Sequence, residues 1–259
     1  TNRWGSEINT QRLDLATKVG YVFKDMPFQS IGFQNAFTLH NQNSYYGLNV
    51  YDIKQNSFYS NLIFNSIINN TKHKFATGIN FAYDNYNEFV GLTDYGRVDN
   101  SVGAFFEYTY DNDDNFSLVL GGRVDNHNRL GTFVTPRLHL RYNPWEKSVL
   151  RFSAGRGKRA ANIFAENQSL FASSRTFSIL DTDGKIYGLN PEIAWNYGLS
   201  FNQKFQLFGR NGDAGFDLYR TDFQNQAVVD VMQSPQQVLF YNLKGKSYAT
   251  SLQIEFNYE

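Results

Sequence analysis

Residues 135–166, TPRLHLRYNPWEKSVLRFSAGRGKRAANIFAE, decide the fold class of this chain. Apolar and polar side chains alternate over residues 136–142 and again over residues 149–154, and a proline-containing turn separates the two runs. A period of two on both sides of a turn predicts a β-hairpin. Arginine stands at positions 137, 141 and 151 of the polar face, where a packed protein core would make its burial costly. The pattern therefore predicts a barrel wall with its apolar face in lipid and its charged face toward a wet lumen.

The composition excludes several classes of protein. The 24 basic and 24 acidic residues give a net charge of +0, so the chain lacks the basic excess that nucleic-acid binding favours. The chain contains no cysteine, which excludes disulfides, thiolate metal sites and cysteine nucleophiles. No stretch approaches the ~20 apolar residues of a membrane-spanning helix. The mean hydropathy of −0.48 is compatible with a barrel, because only every second residue of a barrel strand meets lipid.

The same alternation recurs along the whole chain and predicts about eleven strands. We expect short turns to alternate with long connections, as in outer-membrane barrels, whose periplasmic turns are short and whose extracellular loops are longer. The predicted fold class is all-β, an antiparallel transmembrane β-barrel. Because a complete single-chain bacterial barrel normally has an even number of strands, the odd count predicts a partial barrel. The long connections are expected at about residues 40–55, 85–100, 125–133, 162–190 and 225–240.

Four segments carry a family resemblance: TPRLHLRYNP (135–144), LRFSAGRGKRAANIFAE (150–166), NPEIAWNYGLSF (190–201) and DLYRTDFQNQ (217–226). In this order they resemble the barrel of TonB-dependent outer-membrane receptors, most closely a Bacteroidetes-like version. The chain departs from the family pattern at Lys158, where an aromatic residue is usual, and at Ala161, where many members carry proline. Members of the family have a twenty-two-stranded barrel around a separate plug domain. The resemblance therefore implies that residues 1–259 are part of such a barrel, without the plug and the closing strands.

The resemblance also implies a function. Such receptors are active importers in the bacterial outer membrane that bind a scarce, bulky nutrient, such as a ferric siderophore or cobalamin. The implied partners are outer-membrane lipid, the receptor's own plug domain, the inner-membrane TonB complex acting through that plug, and the small-molecule nutrient. No nucleic acid is expected to bind. We expect neither catalytic residues nor a cofactor, because the barrel wall of such an importer carries no chemistry.

Two groups of residues are candidates for contact with a ligand or with the plug. The first group lies in the predicted loops and rim, where aromatic and polar side chains could bind the nutrient. The second group lies on the polar face of the predicted strands and would point toward the lumen or the plug. The rim candidates are Tyr45, Tyr46, Tyr95, Arg97, His127, Arg159 and Asn162; the lumenal candidates are Arg137, Arg141, Arg151, Glu192, Gln253 and Glu255.

Two motifs suggest other chemistry but fit structural roles better. GRGKRA, at residues 155–160, lacks the spacing of a phosphate-binding loop, and its glycines fit a relaxed strand near the rim. DNDDN, at residues 111–115, has alternating oxygen ligands but lacks the glycine and the final glutamate of a calcium loop, so we predict a hairpin turn. No metal site is predicted.

Two alternative functions remain open from the sequence. One is a passive porin or adhesion-type outer-membrane barrel, which would need no plug. The other is a soluble β-rich binding domain, whose apolar stripes would have to pack inside the protein. The position of Leu138, Leu140 and Phe152 distinguishes the membrane interpretation from the soluble one.

Overall fold

The computed structural model describes residues 4–259, most of which form β-strands. Within these residues, no helix has both the length and the hydropathy needed to cross a membrane. The helical content is one short 3₁₀ helix, Ala165–Ala172. The strands are β1 (Ser6–Phe23), β2 (Met26–Tyr46), β3 (Asn49–Ile68), β4 (Asn70–Val90), β5 (Thr93–Asp94), β6 (Arg97–Asp111), β7 (Phe116–His127), β8 (Gly131–Tyr142), β9 (Ser148–Arg159), β10 (Thr176–Ile179), β11 (Glu192–Leu207), β12 (Arg210–Asn225), β13 (Ala227–Asp230), β14 (Gln237–Asn242) and β15 (Ser247–Tyr258).

Eleven strands form one antiparallel sheet and confirm the predicted strand count. Their spatial order follows the chain, β1-β2-β3-β4-β6-β7-β8-β9-β11-β12-β15, and the two-residue strand β5 adds to β4. Every neighbour in this path is the next long strand along the chain, which is the topology of an up-and-down barrel wall. The three short strands β10, β14 and β13 form a separate small sheet.

The strand register gives the large sheet one polar face. Residues that pair directly across an antiparallel ladder point to the same side, so the pairing carries the orientation from strand to strand. We call the side occupied by Arg137, Arg141 and Arg151 the polar face and the opposite side the apolar face. One row of the polar face crosses six strands through Ser117, Arg141, Arg151, Ser200, Asp217 and Gln253.

Within residues 4–259, no second layer covers the apolar face. Phe152 lies there with 37% of its surface exposed, on the same side as Leu138 and Leu140, as the barrel prediction requires. Large exposed apolar patches are unusual on soluble proteins and mark sites that contact a membrane or a partner. The exposed apolar side chains include Val19, Ile79, Val102, Phe106, Leu120, Leu252, Ile254 and Phe256.

Three of the predicted long connections are wrong. Strands β2 and β3 continue to a tight turn at Gly47, whose φ of +65° suits glycine, and β4 likewise continues to a turn at Gly91. Strands β7 and β8 are joined by residues 128–130. Polar residues occur on both faces of these segments, and buried apolar residues also stand on the polar face, which weakens the period-two signal. The extended ladder still satisfies the backbone hydrogen bonds. Residues 162–190 and 225–240 do form the long connections, and they contain the 3₁₀ helix and the small sheet.

Candidate functional site

The two long connections fold together over one end of the polar face. We call residues 160–190 and 226–246 the cap. Their aromatic side chains pack against the polar-face side of β3 and form the hydrophobic core of the described chain. The centre of the Phe171 ring lies 5.2 Å from the centre of the Tyr51 ring and 4.5 Å from the centre of the Phe177 ring. Tyr51, Phe164, Phe171, Val238 and Phe240 are fully buried in this core.

Polar contacts also attach the cap to the sheet. The side-chain amide of Asn49, at the start of β3, donates to the carbonyl oxygens of Phe171 and Ser173, both at 2.8 Å. The amide of Gln42 on β2 donates to the side chain of Gln168 at 3.1 Å. The two bonds from Asn49 satisfy carbonyl groups at the end of the 3₁₀ helix, which an isolated helix end would leave without partners. The cap is therefore held on the sheet by both packing and hydrogen bonds.

A buried ionic cluster lies where the cap meets β4 and β6. The Glu88 carboxylate is fully buried, and the Arg97 guanidinium donates to it at 3.1 Å and to Asp99 at 3.0 Å. Arg97 also donates to the Tyr187 hydroxyl of the cap at 2.7 Å. The Tyr51 hydroxyl donates to Glu88 at 3.0 Å, and the Tyr187 hydroxyl donates to Glu88 as well. We call Tyr51, Glu88, Arg97, Asp99 and Tyr187 the Glu88–Arg97 cluster.

Aromatic faces complete the surroundings of the Arg97 guanidinium. Its central carbon lies 3.9 Å from the centre of the Tyr86 ring and 4.6 Å from the centre of the Tyr187 ring. Such cation–π contacts are strongest where the cation is desolvated, as it is here. A buried ion pair is stable only when its remaining donors and acceptors also have partners, and this cluster supplies them.

Burial keeps the tyrosine hydroxyls of the cluster protonated. These residues lie at the cap end of the sheet, outside the membrane-spanning part of the strands. Burial, and then the nearby Glu88 charge, raise the pKa of Tyr51 and of Tyr187 well above the usual value of 10.0. Burial, followed by the charge of Asp84, raises the pKa of Tyr86 to about 12. The Tyr51 and Tyr187 hydroxyls therefore remain donors toward Glu88 at neutral pH.

Comparison with known families assigns the chain to one of them. The family model described as TonB dependent receptor-like, beta-barrel matches residues 1–259. The chain belongs to this family of TonB-dependent receptor barrels. No curated protein sequence is significantly similar to the chain.

Solved structures of receptors share the fold of this barrel. The siderophore receptor PirA from Pseudomonas aeruginosa is 14% identical with a TM-score of 0.70, covering 96% of this chain and 47% of that receptor. The Serratia marcescens hemophore receptor HasR, solved with its hemophore HasA and heme, is 14% identical with a TM-score of 0.71, covering 98% and 47%. The copper transporter OprC is 11% identical with a TM-score of 0.69, covering 94% and 42%. The chain thus spans about half the length of these proteins.

The receptor barrel brings four of the predicted rim residues into the cap or its border. Asn162 accepts a hydrogen bond from Arg97, and the Tyr95 ring lies 4.8 Å from the Phe164 ring. Arg97 and Tyr46 are each only 8% exposed, so both side chains mainly contact other residues of the protein. Their part in ligand binding stays a prediction.

The other three rim candidates lie in different environments. Arg159 remains largely exposed and forms ion pairs with Glu192 at 2.6 Å and with Glu166 at 3.0 Å. His127 ends β7, and its Nδ1 accepts hydrogen bonds from the backbone of the following turn. Tyr45 lies on the apolar face, opposite the cap, because its neighbour Tyr46 points to the polar side. A role in ligand binding stays a prediction for these residues too.

All six predicted lumenal residues lie on the polar face of the receptor barrel. Arg137 is ion-paired with Glu107, and Glu192 with Arg159. Arg141 and Arg151 pair directly across β8 and β9. Gln253 lies opposite Asp217, and Glu255 accepts a hydrogen bond from Asn257 at 2.9 Å. Whether any of these six contacts a plug stays a prediction.

The sequence interpretation missed the Glu88–Arg97 cluster. Three of its residues, Glu88, Arg97 and Asp99, fall at 85–100, a segment expected to be a long connection. The usable signal was the period of two in Asp84, Tyr86 and Glu88, followed by Arg97 and Asp99 two residues apart. That spacing places the side chains on one face of paired strands.

The two motifs that suggested other chemistry have structural roles. Residues 155–159 continue strand β9, so GRGKRA does not form a loop that opens a helix. In DNDDN, the Asn112 side chain accepts hydrogen bonds from the backbone N–H groups of Asp114 and Phe116 and closes the hairpin turn. Over residues 4–259, no group of three or more potential metal-ligating side chains comes together.

Proposed function

We propose that this chain is the barrel portion of a bacterial outer-membrane receptor that binds a scarce, bulky nutrient on its capped side. The nutrient is a ferric siderophore, cobalamin or a similar compound. Energy for import comes from the inner-membrane TonB complex, acting through a plug domain in the complete receptor. The protein acts as a transport receptor, and no step of the proposed import requires catalysis by the barrel wall.

One observation carries the proposal: the family's barrel sheet exposes an apolar face on one side and holds a cap over the other. The exposed apolar side chains fit contact with lipid hydrocarbon, since bulk water would make their exposure unfavourable. The charged face fits a water-filled lumen. Names of structural neighbours support the substrate class, because they describe a siderophore receptor, a hemophore receptor with heme, and a copper transporter.

The nutrient-capturing surface in this proposal is the outer surface of the cap with the adjoining rim. Its buried side is occupied by the aromatic core and the Glu88–Arg97 cluster, so those residues hold the cap in shape. Arg159 is largely exposed at the cap border, but its guanidinium already binds Glu166 and Glu192, so it joins the cap to strand β11 and would bind an anionic ligand only by exchanging a partner. Arginine suits such a role, because its planar fork binds carboxylates in two places at once.

Uptake by the complete receptor tests the proposal. Cells that express it should accumulate a radiolabelled ferric siderophore or cobalamin only when the TonB complex is active, while binding at the cell surface should persist without it. Accumulation that follows the concentration gradient and ignores TonB would instead indicate a passive porin. Recovery of the receptor in the soluble fraction without detergent would contradict both membrane functions.

A further inference from the structure

Two arginines on the polar face lack the acidic partners that other arginines there possess. Arg141 and Arg151 pair directly across β8 and β9, and within residues 4–259 neither forms an ion pair or a side-chain hydrogen bond. By contrast, within residues 4–259 every other arginine whose side chain lies on the polar face of a strand has an acidic partner. These pairs are Arg12–Asp14, Arg97–Glu88, Arg123–Asp125, Arg137–Glu107 and Arg159–Glu192.

The direct pairing of these arginines is unfavourable without an anion. Like charges directly opposite each other across an antiparallel ladder destabilise the pair of strands. An oxyanion between the two guanidinium groups would reverse the sign of this interaction, because each planar fork can donate two parallel hydrogen bonds to it. The pair therefore has the charge and the hydrogen-bond donors of an incomplete anion site.

The surroundings form a pocket suited to such an anion. Both arginines line a cavity of about 450 Å³, together with the hydroxyl-bearing Ser153 and Tyr219. The absence of a side chain at Gly198 leaves room between Ser153 and Tyr219. A Cβ there would lie 2.6 Å from the Ser153 hydroxyl and 2.8 Å from the Tyr219 ring. Other polar residues in the lining are Ser117, His139, Ser200 and Asp217.

Asp217 does not neutralise the arginines. The register places Ser200 between Arg151 and Asp217, which separates them by two strand spacings, or ~10 Å. The structure shows no ion pair between Asp217 and either arginine. The end of the pocket formed by β8 and β9 therefore keeps its positive charge.

We propose that Arg141 and Arg151 form an oxyanion site that binds a carboxylate or phosphate group between their guanidinium forks. The site lies near the short β8–β9 turn, about 26 Å along β8 from Phe133 at ~3.3 Å per residue, and is separate from the cap. This proposal does not require a particular nutrient or a particular source of energy for import. The anion is either a group on a small molecule or an acidic side chain of a protein segment inside the lumen.

Arginine labelling of the complete receptor in detergent tests the site. Phenylglyoxal modification is followed by mass spectrometry at Arg141 and Arg151, with inorganic phosphate as the probe and chloride at equal ionic strength as the comparison. Arg210, at the exposed β11–β12 turn, serves as the matched reference. Severalfold slower labelling of both arginines in phosphate, with Arg210 unchanged, is the result expected for a small oxyanion.

The variant Arg141→Gln distinguishes the source of the anion. Protection of Arg151 before phosphate is added, lost in this variant, identifies a carboxylate of the protein as the occupant. Arg141→Lys, which keeps the charge but loses the fork, should retain only part of the protection and serves if the glutamine variant does not fold. Labelling at the rate of Arg210 in every buffer would overturn the site. Protection of Arg151 that persists in Arg141→Gln would also overturn it, by indicating simple steric cover.

Discussion

The Arg97 guanidinium lies 3.1 Å from the Glu88 carboxylate, and the two side chains join strands β6 and β4 beneath the cap. Glu88 is fully buried and Arg97 is 8% exposed. Because Tyr187 of the cap contacts both, the ion pair belongs to the attachment of the cap as much as to the sheet. Breaking a buried pair from one side leaves the other charge without compensation.

Replacement of the buried acid should therefore loosen the cap. We expect Glu88→Gln to destabilise the folded receptor by about 3–5 kcal/mol, the usual cost of removing one partner of a buried pair. Hydrogen exchange followed by mass spectrometry should show faster exchange across residues 162–190, while strands β8 and β9 keep their protection.

The exposed pair Arg12–Asp14 provides the matched control. Both side chains are more than half exposed, so solvent screens their attraction. Arg12→Gln should leave both the exchange of the cap and the melting temperature unchanged. Equal effects of Arg12→Gln and Glu88→Gln would contradict the special role of the buried cluster.

The hydrophobic core of the cap predicts a second loss of stability. Phe171 is fully buried between Tyr51 on the sheet and Phe177 of the cap. Phe171→Ala should leave a cavity and cost about 3–5 kcal/mol, as measured by denaturant unfolding in detergent. Met232→Ala, at a position 90% exposed in the cap, should have little effect. A cap that exchanges no faster in Phe171→Ala would show that its core does not hold it.

The sequence predicted the strands that have one face toward lipid and the other toward water. Strands such as β8, β9 and β15 must alternate apolar and polar side chains, so their period of two is readable. The ends of β2 and β4 do not alternate in this way, because polar residues stand on both faces and residues such as Tyr46 and Val90 pack under the cap on the polar face. The sequence interpretation therefore took these ends for loops.

The Glu88–Arg97 cluster could not be predicted for a related reason. It depends on Tyr187, whose partners Glu88 and Arg97 are 99 and 90 residues away in the sequence. No local sequence pattern indicates a contact between residues so far apart in the chain. The polar face was predictable because strand register transmits the orientation of Arg137 and Arg151 to every neighbouring strand.

Tight approach of neighbouring strands predicts a difference between two glycines. A Cβ at Gly78 would overlap the Leu62 carbonyl oxygen and lie 2.7 Å from the Phe105 ring, whereas a Cβ at Gly157 would have no atom within 4 Å. Gly78→Ala should therefore destabilise the barrel by about 1–3 kcal/mol through overpacking. Gly157→Ala should be neutral or stabilise by up to about 1 kcal/mol, because alanine restricts the unfolded chain. Thermal unfolding of both variants checks the contrast, and equal melting temperatures would refute it.

His127 predicts a response to mild acid at the turn between β7 and β8. Its Nδ1 accepts hydrogen bonds from the backbone N–H groups of Arg129 at 3.1 Å and Leu130 at 3.3 Å, which requires an unprotonated nitrogen. The residue lies at the cap end of β7, outside the membrane-spanning part. Burial lowers the pKa of His127 below its usual 6.5, and the charges of Lys158 and Arg129 act in the same direction, while Asp99 opposes them.

The sign of this pH dependence follows from the lowered pKa. A group whose pKa is lower in the folded state contributes stability above its unfolded pKa, and that contribution is lost as the pH falls through the folded value. The amides of Arg129 and Leu130 should therefore lose protection against exchange as the pH falls from the ordinary histidine value of about 6.5 through the lower folded value. In His127→Gln this acid response should disappear, because the glutamine side chain does not titrate. NMR titration of the imidazole gives the direct measurement, and a His127 pKa at or above 6.5 would contradict the prediction.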